Sequence, residues 1–199
     1  MDERSHRKYL KVMEILPDVV ECSNGKLVLV GGTALSLFYL NHRLSVDLDF
    51  NPVSGIDKKL KEELKGRLTK LGYRTSVGQY ENQFIVQFEN TSIKIEIFEP
   101  ELREKVRNIE VHVFSDTKIN VASLEDLLRM KIETYSKRKE VRDLFDIFYI
   151  IKNGGEDFSL IKELVSKNGL PEEIDKISDL AFNDEDVLQF KKVIINAAS

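Results

Sequence analysis

The spacing of apolar positions divides the chain into a strand-rich first part and a helical remainder. Leu27-Val28-Leu29-Val30 is a continuous apolar run ending at Gly31-Gly32, the pattern of a buried strand entering a turn. Thr33 to Leu40 reads as a short apolar helix and Asn41-His42-Arg43 as a turn. Asp47-Leu48-Asp49 lies on a second strand, which Pro52 and Gly55 end. Upstream, Tyr9, Val12, Met13, Ile15 and Leu16 recur at helical spacing over residues 7–20, in a helix that Pro17 is expected to bend or close. Downstream, Leu60, Leu64, Leu68 and Leu71 give Ile56 to Leu71 one apolar helical face. Three extended runs follow, Tyr73 to Val77, Gln83 to Phe88 and Ser92 to Phe98, then two more, Glu110 to Phe114 and Thr117 to Val121, with Gly78 and Glu89-Asn90 as turn residues.

From Ser123 the period becomes helical. Ser123-Leu124-Glu125-Asp126 reads as a capping box. Leu124, Leu127, Leu128, Ile132 and Tyr135 then form one stripe, with Lys131 in its middle. A lysine there must meet an anion, a phosphate or an acid, or carry its ammonium along the apolar surface to water. Val141 to Ile151 is the next helix, burying Val141, Leu144, Phe145 and Phe148. Asp143 falls on its other side beside Ile147 and Ile150, and Asp146 follows Arg142 by four, the spacing of an ordinary surface ion pair. Residues 158–166, 171–180 and 185–196 read as small closing helices without chemistry. The architecture expected is α+β: a mixed sheet flanked by helices over residues 1–121, with a helical part, residues 122–199, packed on it. No repeat or Pro-rich linker separates the two.

The candidate chemistry lies between residues 31 and 50. On an extended segment Asp47 and Asp49 leave the same face, with carboxylates roughly 6–7 Å apart along the strand, and Leu48 and Phe50 leave the other. Paired carboxylates with a further oxygen ligand suit a hard divalent cation, Mg²⁺ or Mn²⁺. The Gly31-Gly32 turn lets a phosphate approach the backbone, with the N–H groups at the start of the Thr33 helix pointing at it.

Composition limits the alternatives. The chain has 199 residues, 42% hydrophobic and 32% charged, with a formal net charge of −4, so a nucleic acid would have to dock on a local patch. Arg129, Lys131, Lys137, Arg138, Lys139 and Arg142 supply one candidate. Cys22, the single cysteine, excludes an internal disulfide and is expected to be a buried small side chain. No apolar run approaches a membrane span and the first residues are charged, so the expectation is a cytoplasmic protein with no membrane partner.

The stretch GGTALSLFYLNHRLSVDLDF, a glycine pair followed by H-R-x-S-x-D-x-D-F, resembles the nucleotidyltransferase core of the DNA polymerase β superfamily, in the branch of AbiEii/AbiGii-type or MenT-like toxins. Lys131 and the run from Arg138 to Asp146, R-x-x-x-R-D-L-F-D, resemble the later motifs of the same family. The resemblance implies a nucleotidyltransferase-like fold and transfer of a nucleoside monophosphate from an NTP to an acceptor hydroxyl, on a tRNA 3′ end or a protein. It also implies a toxin–antitoxin setting with a cognate antitoxin. By the same resemblance Asp47, Asp49 and Glu96 would ligate the metal, the last from a neighbouring strand; the plainer reading of Glu96 is an exposed strand glutamate. Lys131 and Asp143 would complete the catalytic set, and Gly31, Gly32, Thr33, Arg43, Ser45 and Lys131 would bind the nucleotide. The competing reading is a catalytically silent module that keeps this fold and acts through a partner protein.

Overall fold

Seven strands form one mixed sheet in the order β3-β4-β5-β2-β1-β7-β6. They are β1 Leu27–Val30, β2 Asp47–Pro52, β3 Arg74–Val77, β4 Gln83–Gln87, β5 Ser92–Ile97, β6 Ile109–Phe114 and β7 Thr117–Ala122. This computed structural model describes residues 3–53, 59–98 and 105–198; Gly55 and the helix start expected at Ile56 lie outside them. Strand β2 runs antiparallel to β1 and parallel to β5, while β1 runs parallel to β7. The hairpin pairs β3–β4, β4–β5 and β6–β7 are antiparallel. The α+β architecture expected from the sequence is therefore the one observed.

One face of the sheet carries the apolar half of each alternation. Leu48 and Phe50 of β2 and Ile93, Ile95 and Ile97 of β5 are buried there against Ile15, Leu16 and Val19 of α1 (Glu3–Ser23) and Leu64 and Leu68 of α3 (Leu60–Lys70). Helix α1 does not close at Pro17. Ile15, Leu16, Val19 and Val20 are all buried, so packing on both sides of the proline carries the helix through to Ser23 despite the lost amide donor. Cys22, near its end, is half-buried.

The opposite face of β2 and β5 meets the helical remainder. Helices α4 (Leu124–Arg138), α5 (Val141–Gly154), α6 (Ser159–Asn168), α7 (Ile177–Leu180) and α8 (Asp184–Ala198) enclose a second apolar cluster built around Phe145, Phe148 and Phe190. Ser123 caps α4 by accepting from the Asp126 amide at 3.3 Å. The other half of the expected box is absent, since the Asp126 carboxylate accepts instead from the Arg107 and Asn108 amides. Leu127 and Met130 of α4 join the sheet core, and Leu128 packs against both clusters.

Between β1 and β2 the chain makes one helical turn, α2 (Gly31–Ala34), widens into a π-helix over Leu35–Leu40, and stops at Asn41 in the left-handed region. Wide helical turns of this kind are uncommon and concentrate at functional sites. The segment that follows is pinned from the far end of the chain: Leu44 N donates to Leu180 O at 2.8 Å and Phe182 N to His42 O at 3.0 Å.

Candidate active site

Because β2 and β5 are parallel, with Asp47 opposite Lys94 and Asp49 opposite Glu96, the polar half of their alternation puts four charged side chains on one face. Helix α4 crosses in front of them and encloses a cleft of about 280 Å³. Asp47, Asp49, Lys94 and Glu96 line one wall; Lys131, Thr134, Arg138 and Arg142 line the other. Gly31, Gly32, Arg43 and Ser45 close the end between them. The sequence-predicted residues therefore converge, with two exceptions. Thr33 and Asp143 lie behind the wall rather than on it, at 1% and 0% exposure.

Besides lining the cleft, the glycine pair makes room for the site's own side chains. Gly31 sits at φ +72°, where a side chain is strained, and a Cβ there would lie 2.7 Å from Asp49 Oδ2. A Cβ on Gly32 would lie 2.7 Å from Arg43 Nη2 and 2.9 Å from Ser45 Oγ. The room the two glycines make is taken by the site's own side chains. Thr33 acts on the same framework: its hydroxyl donates to Asp47 O at 2.5 Å and shares a 2.9 Å bond with Ser45 Oγ, fixing where β2 begins.

Asp146 was expected as the surface partner of Arg142, and here the structure differs. Asp146 is fully buried, while Arg142 Nε donates to Glu140 at 2.5 Å. Asp143 and Asp146 are three apart on α5 and share its inward face, so both meet α4 and the turn after the π-helix. Asp146 accepts from Arg43 Nε at 2.6 Å and Nη2 at 2.7 Å, from His42 Nε2 at 2.7 Å, and lies 2.7 Å from Lys131 Nζ. Lys131 Nζ also donates to Asp143 Oδ1 at 2.7 Å, and Arg138 grips Asp143 with Nε at 2.8 Å and Nη2 at 3.0 Å. Of the two fates open to Lys131 in its apolar stripe, the structure shows the buried one, with two acids meeting it.

Arg43, expected at the nucleotide, spends most of its guanidinium on this network, since Nη1 donates to Leu44 O at 2.9 Å as well. Burial alone would raise the Asp146 carboxyl, but the Arg43 and Lys131 charges outweigh it and hold Asp146 well below the usual carboxylate range. Asp143 is held down in the same way by Lys131 and Arg138, again against burial. Burial lowers the His42 imidazole, against its bond to Asp146, so it is neutral at physiological pH. Three basic side chains, Arg43, Lys131 and Arg138, thus meet the two buried carboxylates, with Glu140 also 3.4 Å from Arg138, and Lys131 and Arg138 line the cleft.

The opposite wall has the reverse balance. Burial raises the Asp49 carboxyl to about 6; Lys94 opposes this, while Asp47 and Glu96 add to it. Glu96 Oε1 accepts from Asn82 Nδ2 and Oε2 from Gln83 Nε2, each at 2.9 Å. Lys94 Nζ stands 3.5 Å from Asp47 Oδ2 and 3.4 Å from Glu96 Oε2. Among the described residues no three acid, histidine or cysteine side chains are gathered closely enough to hold one ion. The pair Asp47 and Asp49 fits a hard divalent cation by its all-oxygen donor set and its excess negative charge. Glu96 brings charge to the same wall with its oxygens held by two amides. Sequence reasoning missed Lys94, although the alternation that selected Glu96 puts Lys94 on the same face, and it missed Asp146 and His42.

Two expectations follow from these charges. Lys131→Met leaves two buried carboxylates short of a cation and should cost about 3 kcal/mol in a urea melt, although a methionine suits the apolar stripe. Asp49→Asn should stabilise the protein at neutral pH. The folded-state value of Asp49 is raised from 3.8 to about 6, so its favourable contribution is complete below about 4 and lost as pH rises through about 6. At pH 7.5 the melting temperature should rise by about 2–4 °C for each kcal/mol relieved, and the difference from wild type should vanish near pH 4.

Comparison with known proteins places this arrangement in context. A 144-residue stretch covering 70% of the chain is 26% identical to an uncharacterized protein of Aquifex aeolicus, and the match spans 64% of that protein's length. The crystal structure of JHP933 from Helicobacter pylori is similar over 99% of this chain and 93% of its own, with 21% identity and a TM-score of 0.56. An antigenic nucleotidyltransferase-like protein from Paracoccidioides brasiliensis is similar over 86% of this chain and 91% of its own, with 18% identity and a TM-score of 0.56. At these identities the structural neighbours establish the fold. The profile of the nucleotidyl transferase AbiEii toxin, type IV toxin–antitoxin system, matches residues 20–195. The chain therefore belongs to the AbiEii nucleotidyltransferase toxin family.

Proposed function

We propose that this protein is a metal-dependent nucleotidyltransferase that moves a nucleoside monophosphate from an NTP to an acceptor hydroxyl, on a tRNA 3′ end or a protein, as a toxin countered by a cognate antitoxin. The observation that carries this reading is the pairing of an acidic wall, Asp47 and Asp49, with a basic wall, Lys131, Arg138 and Arg142, across one cleft. A metal–triphosphate needs both: oxygen ligands for the ion and cations for phosphate charge the ion leaves unbalanced.

Asp47 and Asp49 would hold Mg²⁺ or Mn²⁺, and Glu96, third on the same wall, adds its charge. The chemistry such an ion supplies when bound is neutralisation of triphosphate charge as pyrophosphate leaves. Arg138 and Arg142 are 43% and 39% exposed and reach into the cleft, so they are the residues placed to take phosphate oxygens. Lys131 stands behind them at 6% exposure, contributing charge from a fixed position. Gly31, Gly32, Arg43 and Ser45 form the closed end against which the nucleotide would rest. Asp143 and Thr33 are positioning residues in this scheme: the first holds Lys131 and Arg138, the second holds Ser45 and the start of β2. Little covalent work falls to the chain, and fixed charges that need no reorganisation carry most of such a reaction.

The direct test incubates the protein with each α-labelled NTP, Mg²⁺ and either total RNA or protein extract. Label should move to one acceptor class in wild type and to neither with Asp47→Asn or Asp49→Asn. Absence of transfer with all four nucleotides would remove the enzymatic reading. Metal binding should be graded: calorimetry is expected to show no Mn²⁺ binding by Asp47→Asn or Asp49→Asn, and about tenfold weaker binding by Glu96→Gln, which keeps size and loses charge.

A further inference from the structure

Lys94 is a cation set among the carboxylates of the acidic wall. It stands opposite Asp47 in the β2–β5 register, two residues before Glu96 and on the same face. Its ammonium lies between the carboxylates, 3.5 Å from Asp47 Oδ2 and 3.4 Å from Glu96 Oε2, and it is the leading influence holding Asp49 down. Burial would lower the lysine's own value, but Asp47, Asp49 and Glu96 together raise it, so the group is charged throughout the physiological range. About a third of the side chain is exposed, and it lines the cleft.

We propose that Lys94 is the resident counter-cation of the Asp47, Asp49 and Glu96 carboxylates, and that it weakens binding of a bare divalent ion relative to one that arrives with a polyphosphate. This rests on the reading of Asp47 and Asp49 as metal ligands. A bare Mn²⁺ entering between those acids must approach a like charge and compete with it for their carboxylates, leaving the ammonium with fewer anions than before. An ion carrying a polyphosphate brings anionic oxygens with it. The lysine's flexible four-carbon stem can then turn its ammonium from the carboxylates to the incoming phosphate, keeping every charge paired. Lys94 thereby couples metal entry to nucleotide entry and keeps the acidic wall neutralised while the cleft is empty. A lysine that only fastens β5 to β2 would have no such effect on which form of the ion binds.

Titration with Mn²⁺ alone and with preformed Mn²⁺–tripolyphosphate, the part common to every NTP, separates the two at fixed ionic strength. For the 199-residue protein, Lys94→Met is expected to bind Mn²⁺ alone about tenfold more tightly than wild type and Mn²⁺–tripolyphosphate more weakly, a reversal of order. Lys94→Arg should keep the wild-type order, and Lys94→Gln should follow Lys94→Met, so that loss of folding in one variant leaves the comparison intact. Adding Asp47→Asn to Lys94→Met should abolish Mn²⁺ binding. Equal or weaker Mn²⁺ affinity in Lys94→Met and Lys94→Gln would overturn the role of Lys94 while leaving the metal site standing. Binding that survives the added Asp47→Asn, or no Mn²⁺ binding by any variant, would overturn both.

Discussion

The buried carboxylate of Asp146 is the constraint on which the two walls of the cleft depend. It receives Arg43 and His42 from the turn after the π-helix and Lys131 from α4, while itself belonging to α5. A carboxylate with no exposure cannot remain ionised without such partners, and none of the partners can move without stranding it. Replacing an ion cluster of this kind by apolar residues is often neutral in stability, so its value lies in position: it admits one mutual arrangement of three elements. Through Arg43, whose guanidinium packs over Gly32, that arrangement reaches the glycine turn. Through Lys131 and Asp143 it reaches Arg138 and the basic wall.

The two walls then differ in kind as well as in sign. The basic wall is organised from behind by fully buried acids, so its excess positive charge is fixed before any ligand arrives. The acidic wall is organised by strand register, which spaces its carboxylates but does not neutralise them, and Lys94 supplies a cation there. Burial raises the Asp49 carboxyl to about 6, with Asp47 and Glu96 adding to it against Lys94. A negative wall facing a positive one is the charge arrangement that the proposed metal–triphosphate would meet.

Much of this was legible in the sequence because it follows from period. Alternation in β2 and β5 fixes which residues share the apolar face with Leu48 and Ile95 and which share the polar face with Asp47 and Glu96. The stripe around Lys131 fixes that a charge is buried. What could not be read was which anion meets which cation, because the partners are more than a hundred positions apart in Arg43 and His42 against Asp146. The local rule offered Arg142 for Asp146 at four residues' spacing, and tertiary burial overrode it. Pro17 is a second instance of the same kind: local geometry left open whether it bends or closes the helix, and the packing of Val19 and Val20 carries the helix past it.

The glycine pair shows why a motif's chemistry and its structural reason can differ. Gly31 and Gly32 suggested a cradle for phosphate, yet the volume they vacate is filled by Asp49, Arg43 and Ser45. Glycine is required at the first position twice over, by a positive φ and by a carboxylate oxygen that would touch a Cβ. The consequence for function is indirect but strong. With no Cβ on Gly31, the Asp49 carboxylate occupies the space a side chain would need, close against the glycine turn. Burial there raises its carboxyl to about 6, a charge that a proton, the nearby Lys94 ammonium or an arriving cation can offset. The glycine turn therefore serves the acidic side of the cleft by making room for one acid.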